Sequence, residues 1–234
     1  MKKRSLVAAI AVLGFLAMAL FTATAPTTTR AENFDNPPPG AVKWKVVDYN
    51  RIQTHPARIP FKVPGGIGFD FLSTPDTALL GTSHPSYRGD LWGNMAGKTL
   101  SATVGVTVSP GTAFEYYGQP DACGTPASVR FYFQTDTSGK FEETDYWWSN
   151  PISVDLQALQ ANDETISNQL GDPSKWSDFY GHFGSESAYA SAYAKAVKDV
   201  QMVGLSFGGG CFFGHGVNIQ GGAARFVLVS YETH

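Results

Sequence analysis

The sequence predicts a mainly antiparallel β fold of the sandwich or barrel type, in one domain and with one short amphipathic helix. Apolar and polar residues alternate with period two in several segments, and glycine or proline recurs between these segments. Hydrophobic residues make up 43 % of the 234 residues, and aromatic residues make up 13 %. This composition supplies a core, excludes global disorder, and suits a β-rich protein or one that stacks on ligands.

The N-terminus has the features of an export signal. Cationic residues 1–4 precede an apolar run over residues 6–21, and residues 23–25 (Ala-Thr-Ala) match the small residues that signal peptidase accepts. We therefore predict a removable signal peptide over residues 1–25. A membrane anchor is the weaker alternative, because the run is shorter than the ~20 residues that span a bilayer. The protein is predicted to be secreted or otherwise extracytoplasmic, without membrane insertion once the signal is removed.

The charge balance is mildly acidic. Lys and Arg number 17 against 20 for Asp and Glu, a formal net charge of −3. Loss of a signal that contains Lys2, Lys3 and Arg4 makes the remaining chain more acidic. Nucleic acid is therefore not an expected partner, since phosphate binding requires clustered Lys and Arg.

The first elements follow a predicted linker. Residues 26–40 are rich in threonine and then in proline, which is typical of a linker, and residues 41–234 form the predicted β-sandwich domain. Residues 44–49 and 67–72 are the early strand candidates. The clearest strand covers residues 99–108, whose apolar face consists of Leu100, Ala102, Val104, Val106 and Val108.

Three later segments show the same alternation. Their predicted faces are Val129, Phe131 and Phe133 opposite Arg130, Tyr132 and Gln134; Val203, Leu205 and Phe207; and Phe226, Leu228 and Ser230 opposite Val227, Val229 and Tyr231. Period two repeated in this way is typical of a sandwich or barrel.

One Ala-rich stretch, residues 185–200, breaks the β pattern. Tyr189, Tyr193 and Val197 recur at helical spacing, and Ser185 or Ser187 is the expected cap of the first turn. We expect one amphipathic helix here, laid over one end or edge of the sandwich.

Cys123 and Cys211 are the two cysteines of the chain. In an oxidising compartment, a lone pair of cysteines most commonly forms a disulfide. Cys123 precedes the strand-like residues 128–135, and Cys211 follows the strand-like residues 201–208. If these strands are antiparallel neighbours, both cysteines lie at one edge of the sheet. We predict a structural disulfide, because neither a CxxC nor an HxxxH motif supports a metal pair.

The order of segments resembles the jelly-roll sandwiches of the laminin type IV and galactose-binding-like domains, which include many carbohydrate-binding modules. The resemblance rests on residues 87–94 (YRGDLWGN) leading into residues 97–103 (GKTLSAT), on residues 174–177 (SKWS) before the helix, and on residues 199–206 (DVQMVGLS) after it. The strand at residues 225–232 closes the pattern. The resemblance implies a jelly-roll fold and says little about function.

The best functional signal is aromatic. Trp147 and Trp148 are adjacent, so in a strand one faces inward and the other outward. An outward indole beside Asp145 and Asn150 suits a sugar ring, whose C–H face stacks on the aromatic while its hydroxyls form hydrogen bonds. Packing in the core is the alternative for each ring. Loop aromatics that extend the predicted platform are Trp92, Tyr116, Tyr117, Trp176, Phe179 and Tyr180.

Catalytic and metal-binding signals are weaker. Candidate acids for glycoside hydrolysis are Glu142, Glu143, Asp145, Glu115 and Asp121. Neighbouring glutamates on a turn more commonly form a solvated surface, and no nucleophile, metalloprotease or phosphate-loop motif occurs. The resembled family commonly holds a structural calcium, for which the loop carboxylate candidates are Asp70, Asp76 and Asp90. No other cofactor is expected.

Three functions remain open. The first is a secreted non-catalytic module that binds a glycan or a cell-surface polymer through exposed aromatics. The second is a structural or adhesive extracellular domain that binds protein, and the third is a polysaccharide hydrolase or lyase on the same scaffold. The absence of a compact catalytic motif argues against the third, so we predict the first and do not expect an enzyme.

Overall fold

A computed structural model describes residues 30–33, 43–50, 53–116, 125–209 and 216–234. Within these ranges the chain forms sixteen strands and one α-helix, α1 (Ala190–Ala196), with short 3-10 helices between them. The strands in chain order are β1 (Arg30–Asn33), β2 (Lys45–Asn50), β3 (Gln53–Thr54), β4 (Phe61–Val63), β5 (Gly66–Asp70), β6 (Asp76–Thr82), β7 (Thr99–Val108), β8 (Ala113–Tyr116), β9 (Ser128–Gln134), β10 (Tyr146–Ser149), β11 (Val154–Asp155), β12 (Glu164–Gln169), β13 (Trp176–Ser177), β14 (Met202–Gly208), β15 (Val217–Gln220) and β16 (Ala224–Thr233).

The strands form two antiparallel sheets. The first has the order β12-β7-β16-β5-β4, with β1 paired to β16. The second has the order β13-β10-β9-β14-β6-β15-β8, and β2 and β11 pair with β6 and β9 beside this path. The two sheets pack their apolar faces together: Phe69 of β5 meets Phe207 of β14 with ring centroids 5.4 Å apart. The predicted fold class, an antiparallel jelly-roll sandwich with one short helix, is confirmed.

The strongest predicted strand has the predicted bounds. β7 covers Thr99–Val108, and four of its five predicted core residues are buried, while Val108 is half-buried at the end of the strand. The early strands differ by one or two residues at each end from the predicted bounds. Such shifts are ordinary, because strand ends depend on the pairing partner as well as on the local pattern.

The helix is shorter than predicted. Residues 185–189 precede it, because Glu186 closes a turn in which its side-chain Oε1 accepts the Phe183 amide proton at 2.7 Å. Tyr189 stands at the N-cap without a side-chain hydrogen bond, so the prediction of a cap by Ser185 or Ser187 is wrong. Tyr193 of the helix is buried against Trp147, with ring centroids 4.9 Å apart.

β16 departs from the predicted alternation at its middle. Its register with β7 shifts between Leu228 and Ser230, which is a β-bulge. Phe226 and Leu228 are buried as predicted, but the next fully buried side chain is Tyr231 and not Ser230. The extra residue moves Tyr231 to the core face, where its ring meets Trp44 at 5.1 Å.

The N-terminal part of the chain is described only in part. β1 lies inside the segment predicted as a linker and pairs with the last residues of β16, so this part of the segment belongs to the sheet. The predicted signal peptide, residues 1–25, lies outside the described residues. In the part of the chain that the structure describes, no helix has the length and apolar character needed to cross a bilayer.

Gly204 occupies a site in the centre of the second sheet where no side chain fits. A Cβ atom at this position would lie 2.3 Å from the carbonyl oxygen of Leu80 and 2.6 Å from the Cα of Gly81. We expect Gly204→Ala to lower the free energy of unfolding by about 2–3 kcal/mol, because overpacking against backbone forces the strands apart. Gly171→Ala is the matched control, since its Cβ would meet only one atom, at 3.7 Å. Equal stability of the two variants in urea unfolding would contradict this account.

Candidate functional site

The two tryptophans of β10 lie on opposite faces of the second sheet, as the period of a strand predicts. Trp147 pairs with Phe133 and Trp148 with Tyr132 of β9. Trp147 faces the other sheet and is fully buried, and its Nε1 donates to the carbonyl oxygen of Thr144 at 2.8 Å. It is therefore a core residue.

Trp148 faces away from the other sheet but is only 5 % exposed. The loop after β13 covers it: the Phe179 ring lies 6.1 Å from the Trp148 ring, and Tyr132 lies 5.1 Å away on the sheet. The Trp148 Nε1 donates to Ser206 Oγ at 3.0 Å. The expectation of an exposed tryptophan at this pair is therefore wrong, because a loop distant in sequence packs on the outward ring.

Asn150 and Asp145 have partners inside the protein. Asn150 is buried; its Oδ1 accepts from Arg130 Nη1 at 2.6 Å, and its Nδ2 donates to Ser177 Oγ at 2.6 Å. Burial lowers the pKa of Arg130 to about 10, so the guanidinium keeps its charge at neutral pH. Asp145 Oδ1 accepts from Thr135 Oγ1 at 2.6 Å and closes the β9–β10 hairpin. The Asn150 amide is thus occupied in holding a buried cation.

The other predicted aromatics are spread over the fold. Tyr116 is buried in β8, at the opposite end of the second sheet from β13 and β10, and Tyr117 lies outside the described residues. Trp176 is fully buried, and its Nε1 donates to the carbonyl oxygen of Gln169 at 3.0 Å. Trp92 is 9 % exposed and borders a polar groove of about 310 Å³. These rings therefore do not form one platform.

Exposed aromatic rings lie next to Trp148 instead. Phe141 and Tyr180 are 51 % and 57 % exposed, whereas Tyr146 and Phe179 between them are half-buried. Phe141 stacks on Tyr146 at 5.6 Å and meets Phe179 edge-on at 4.8 Å, and Phe179 meets Tyr180 at 5.3 Å. We call these four rings the aromatic surface.

A compact turn holds Phe179 and Tyr180 in place. The carboxylate of Asp178 is fully buried, and its Oδ1 accepts the amide protons of Tyr180 and His182 at 3.0 and 2.9 Å. The Asp178 amide donates to the carbonyl oxygen of His182 at 2.9 Å. The Phe179 amide donates to the carbonyl oxygen of Glu143 at 3.4 Å. This second contact joins the turn to the 3-10 helix that precedes β10.

Acidic side chains border the aromatic surface. Glu142 is exposed beside Phe141, and Glu143 is half-buried. The carboxylate of Glu143 lies with Asp178 and His182 in one cluster, whose potential ligand atoms are all within 4.8 Å of one another. Of the other acids named as catalytic candidates, Glu115 lies in β8 and Asp121 lies outside the described residues.

Two of the three calcium candidates contact other side chains of the protein. Asp70 forms an ion pair with Arg225 at 2.7 Å, and Asp76 Oδ1 accepts from Asn218 Nδ2 at 2.8 Å. Asp90 does not join them in any group of three potential ligands among the described residues. A calcium site on these residues stays a prediction.

The sequence pattern identified part of this site and missed the rest. The aromatic pattern predicts Phe179 and Tyr180 as loop aromatics but does not identify Phe141, Asp178 or His182. The signal for the last two is the short spacing from Asp178 to His182 around a glycine, which allows one carboxylate to cap the turn.

Comparison with known proteins gives one structural similarity. No protein-family model matches the chain, and no curated protein matches its sequence. The solved structure of a xylan-binding module CBM15 has a TM-score of 0.43 and 9 % sequence identity, covering 88 % of this chain and 94 % of that chain. The resemblance to laminin type IV domains stays a prediction.

Proposed function

We propose that the protein is a secreted non-catalytic module that binds a polysaccharide through the aromatic surface. The observation that carries the proposal is the exposure of Phe141 and Tyr180 on either side of the half-buried Phe179. Exposed apolar area of this kind commonly marks an interaction site. Its chemistry suits a chain of sugar rings, whose C–H faces pack on aromatics.

Polar groups at the border of the rings favour a sugar over an apolar protein partner. The carboxylates of Glu142 and Glu143 accept hydrogen bonds, and the Tyr180 hydroxyl both donates and accepts. A saccharide presents hydroxyls around each apolar face, so it uses both kinds of group. Phe141 and Tyr180 are each more than half exposed, which leaves their rings accessible to a long polymer.

The test is binding of the purified protein to a glycan array and to soluble polysaccharides in affinity gel electrophoresis. We expect Tyr180→Ala to weaken binding at least about tenfold, a loss of about 1.4 kcal/mol, because aromatic anchors dominate such interfaces. Phe141→Ala is expected to act in the same direction.

Phe61→Ala is the matched control. Phe61 is 39 % exposed on β4 of the other sheet, where it packs against the Arg225 guanidinium at 4.7 Å. This variant should bind as tightly as the wild type. A protein that binds no polysaccharide, or that binds equally well without the Tyr180 and Phe141 rings, would overturn the proposal and favour a protein-binding domain.

A further inference from the structure

The cluster of Glu143, Asp178 and His182 has potential metal-ligand atoms that the backbone hydrogen bonds of the turn do not use. The turn uses Asp178 Oδ1 for its two backbone hydrogen bonds. The second oxygen, Oδ2, lies 3.0 Å from His182 Nδ1, and the carboxylate of Glu143 approaches both to within 4.8 Å. Two carboxylates and one imidazole thus lie close together beside the aromatic surface.

The charges of this cluster are unbalanced. Two carboxylates at this separation repel each other, and burial of Asp178 reduces the screening by water. Among the described residues, no Lys or Arg forms an ion pair with Glu143 or Asp178. A divalent cation between the three side chains would neutralise both carboxylates, whereas the hydrogen bond from His182 serves only one of them.

The geometry fits ligands of one small ion. In a tetrahedral site, two ligands bound at about 2.0–2.1 Å lie about 3.3 Å apart. This is close to the 3.0 Å between Asp178 Oδ2 and His182 Nδ1. The surroundings fix both groups: backbone amides hold the Asp178 carboxylate, and the His182 ring stacks on Tyr189 with centroids 4.1 Å apart. Outer contacts of this kind orient metal ligands in known sites. Glu143 needs only a small side-chain movement to complete the set.

We propose that Glu143, Asp178 and His182 form a binding site for a divalent transition metal, with Zn²⁺ as the expected ion. One imidazole and two carboxylates are a ligand set that zinc accepts, with the remaining position open to water. Calcium is the weaker candidate, because it prefers six to eight oxygen ligands. The bound ion joins the 3-10 helix Glu143–Asp145 to the turn that carries Phe179 and Tyr180. The proposal does not depend on carbohydrate binding.

The test is titration of the chelator-treated, oxidised protein with Zn²⁺, followed by calorimetry and thermal unfolding. We expect one equivalent to bind, and the melting temperature to rise by about 5–10 °C when free zinc exceeds the Kd a hundredfold. Glu143→Gln and His182→Gln should each weaken zinc binding at least about tenfold. Glu142→Gln, the exposed neighbour, should leave it unchanged.

Glu143→Gln keeps the Asp178–His182 pair and the turn, so it tests the site even if His182→Gln fails to fold. Substitution with Co²⁺ gives a second measurement, because the position and intensity of its visible d–d absorption report the coordination geometry of the bound ion. If the protein binds no zinc at a metal concentration of about 100 µM, the proposal is overturned. Unchanged zinc affinity in both cluster variants, or calcium binding as tight as zinc binding, would overturn it as well.

Discussion

Replacing Trp148 by alanine is expected to lower the free energy of unfolding by about 3–5 kcal/mol, the usual effect of removing a buried aromatic. The indole is 5 % exposed and packs between Tyr132 and Phe179. Its loss also leaves the Ser206 hydroxyl without the indole donor inside the protein. Unfolding in urea, followed by tryptophan fluorescence and circular dichroism, measures the change.

Phe61→Ala provides the comparison for this measurement, because its ring is 39 % exposed and its removal should cost less than about 1 kcal/mol. A similarly small loss for Trp148→Ala would mean that the loop after β13 does not cover the indole in solution. In that case Trp148 would itself be available to a ligand, as the sequence pattern alone suggests.

Reduction of the predicted Cys123–Cys211 disulfide is expected to lower the free energy of unfolding by about 4–5 kcal/mol. The chain-entropy model gives this figure for a closed loop of about 90 residues. Both cysteines lie outside the described residues, but the premise of the prediction holds: β9 and β14 are antiparallel neighbours, and Ser128 pairs with Gly208. The Ser128 hydroxyl donates to the carbonyl oxygen of Gly208 at 3.1 Å, so the start of β9 and the end of β14 lie side by side at the same end of the sheet.

Thermal unfolding with and without a thiol reductant measures the effect of the disulfide. The double variant Cys123→Ala/Cys211→Ala should unfold at the temperature of the reduced wild type and should not respond to the reductant. If the reductant leaves the melting temperature of the protein unchanged, and both cysteines are then shown to be free thiols, no stabilising bridge forms.

The alternation of apolar and polar residues predicts the strands because successive side chains point to opposite faces of a sheet, and one of these faces packs in the core. β7 shows this clearly, since its buried residues are the apolar ones of the pattern. β16 shows the limit. A single extra residue near Val229 reverses the facing of the side chains that follow it, and the shift is seen in the register between β16 and β7.

The site was harder to predict because it depends on contacts between segments far apart in the chain. In β9, Arg130 and Tyr132 occupy the positions that the pattern assigns to the outer face, yet both are fully buried. The sequence shows that one of the paired tryptophans points away from the core. Whether water or another loop meets that ring depends on where the turn at Asp178 packs, which alternation does not encode.

The turn that Asp178 organises also affects the entropy of association. Its carboxylate binds the amides of Tyr180 and His182 in the free protein, so the backbone that carries Phe179 and Tyr180 is ordered before a partner arrives. Loops that become ordered only on binding lose conformational freedom at that moment and weaken the complex. A partner that stacks on Phe179 and Tyr180 meets preorganised rings, and its affinity is not reduced by the ordering of this loop.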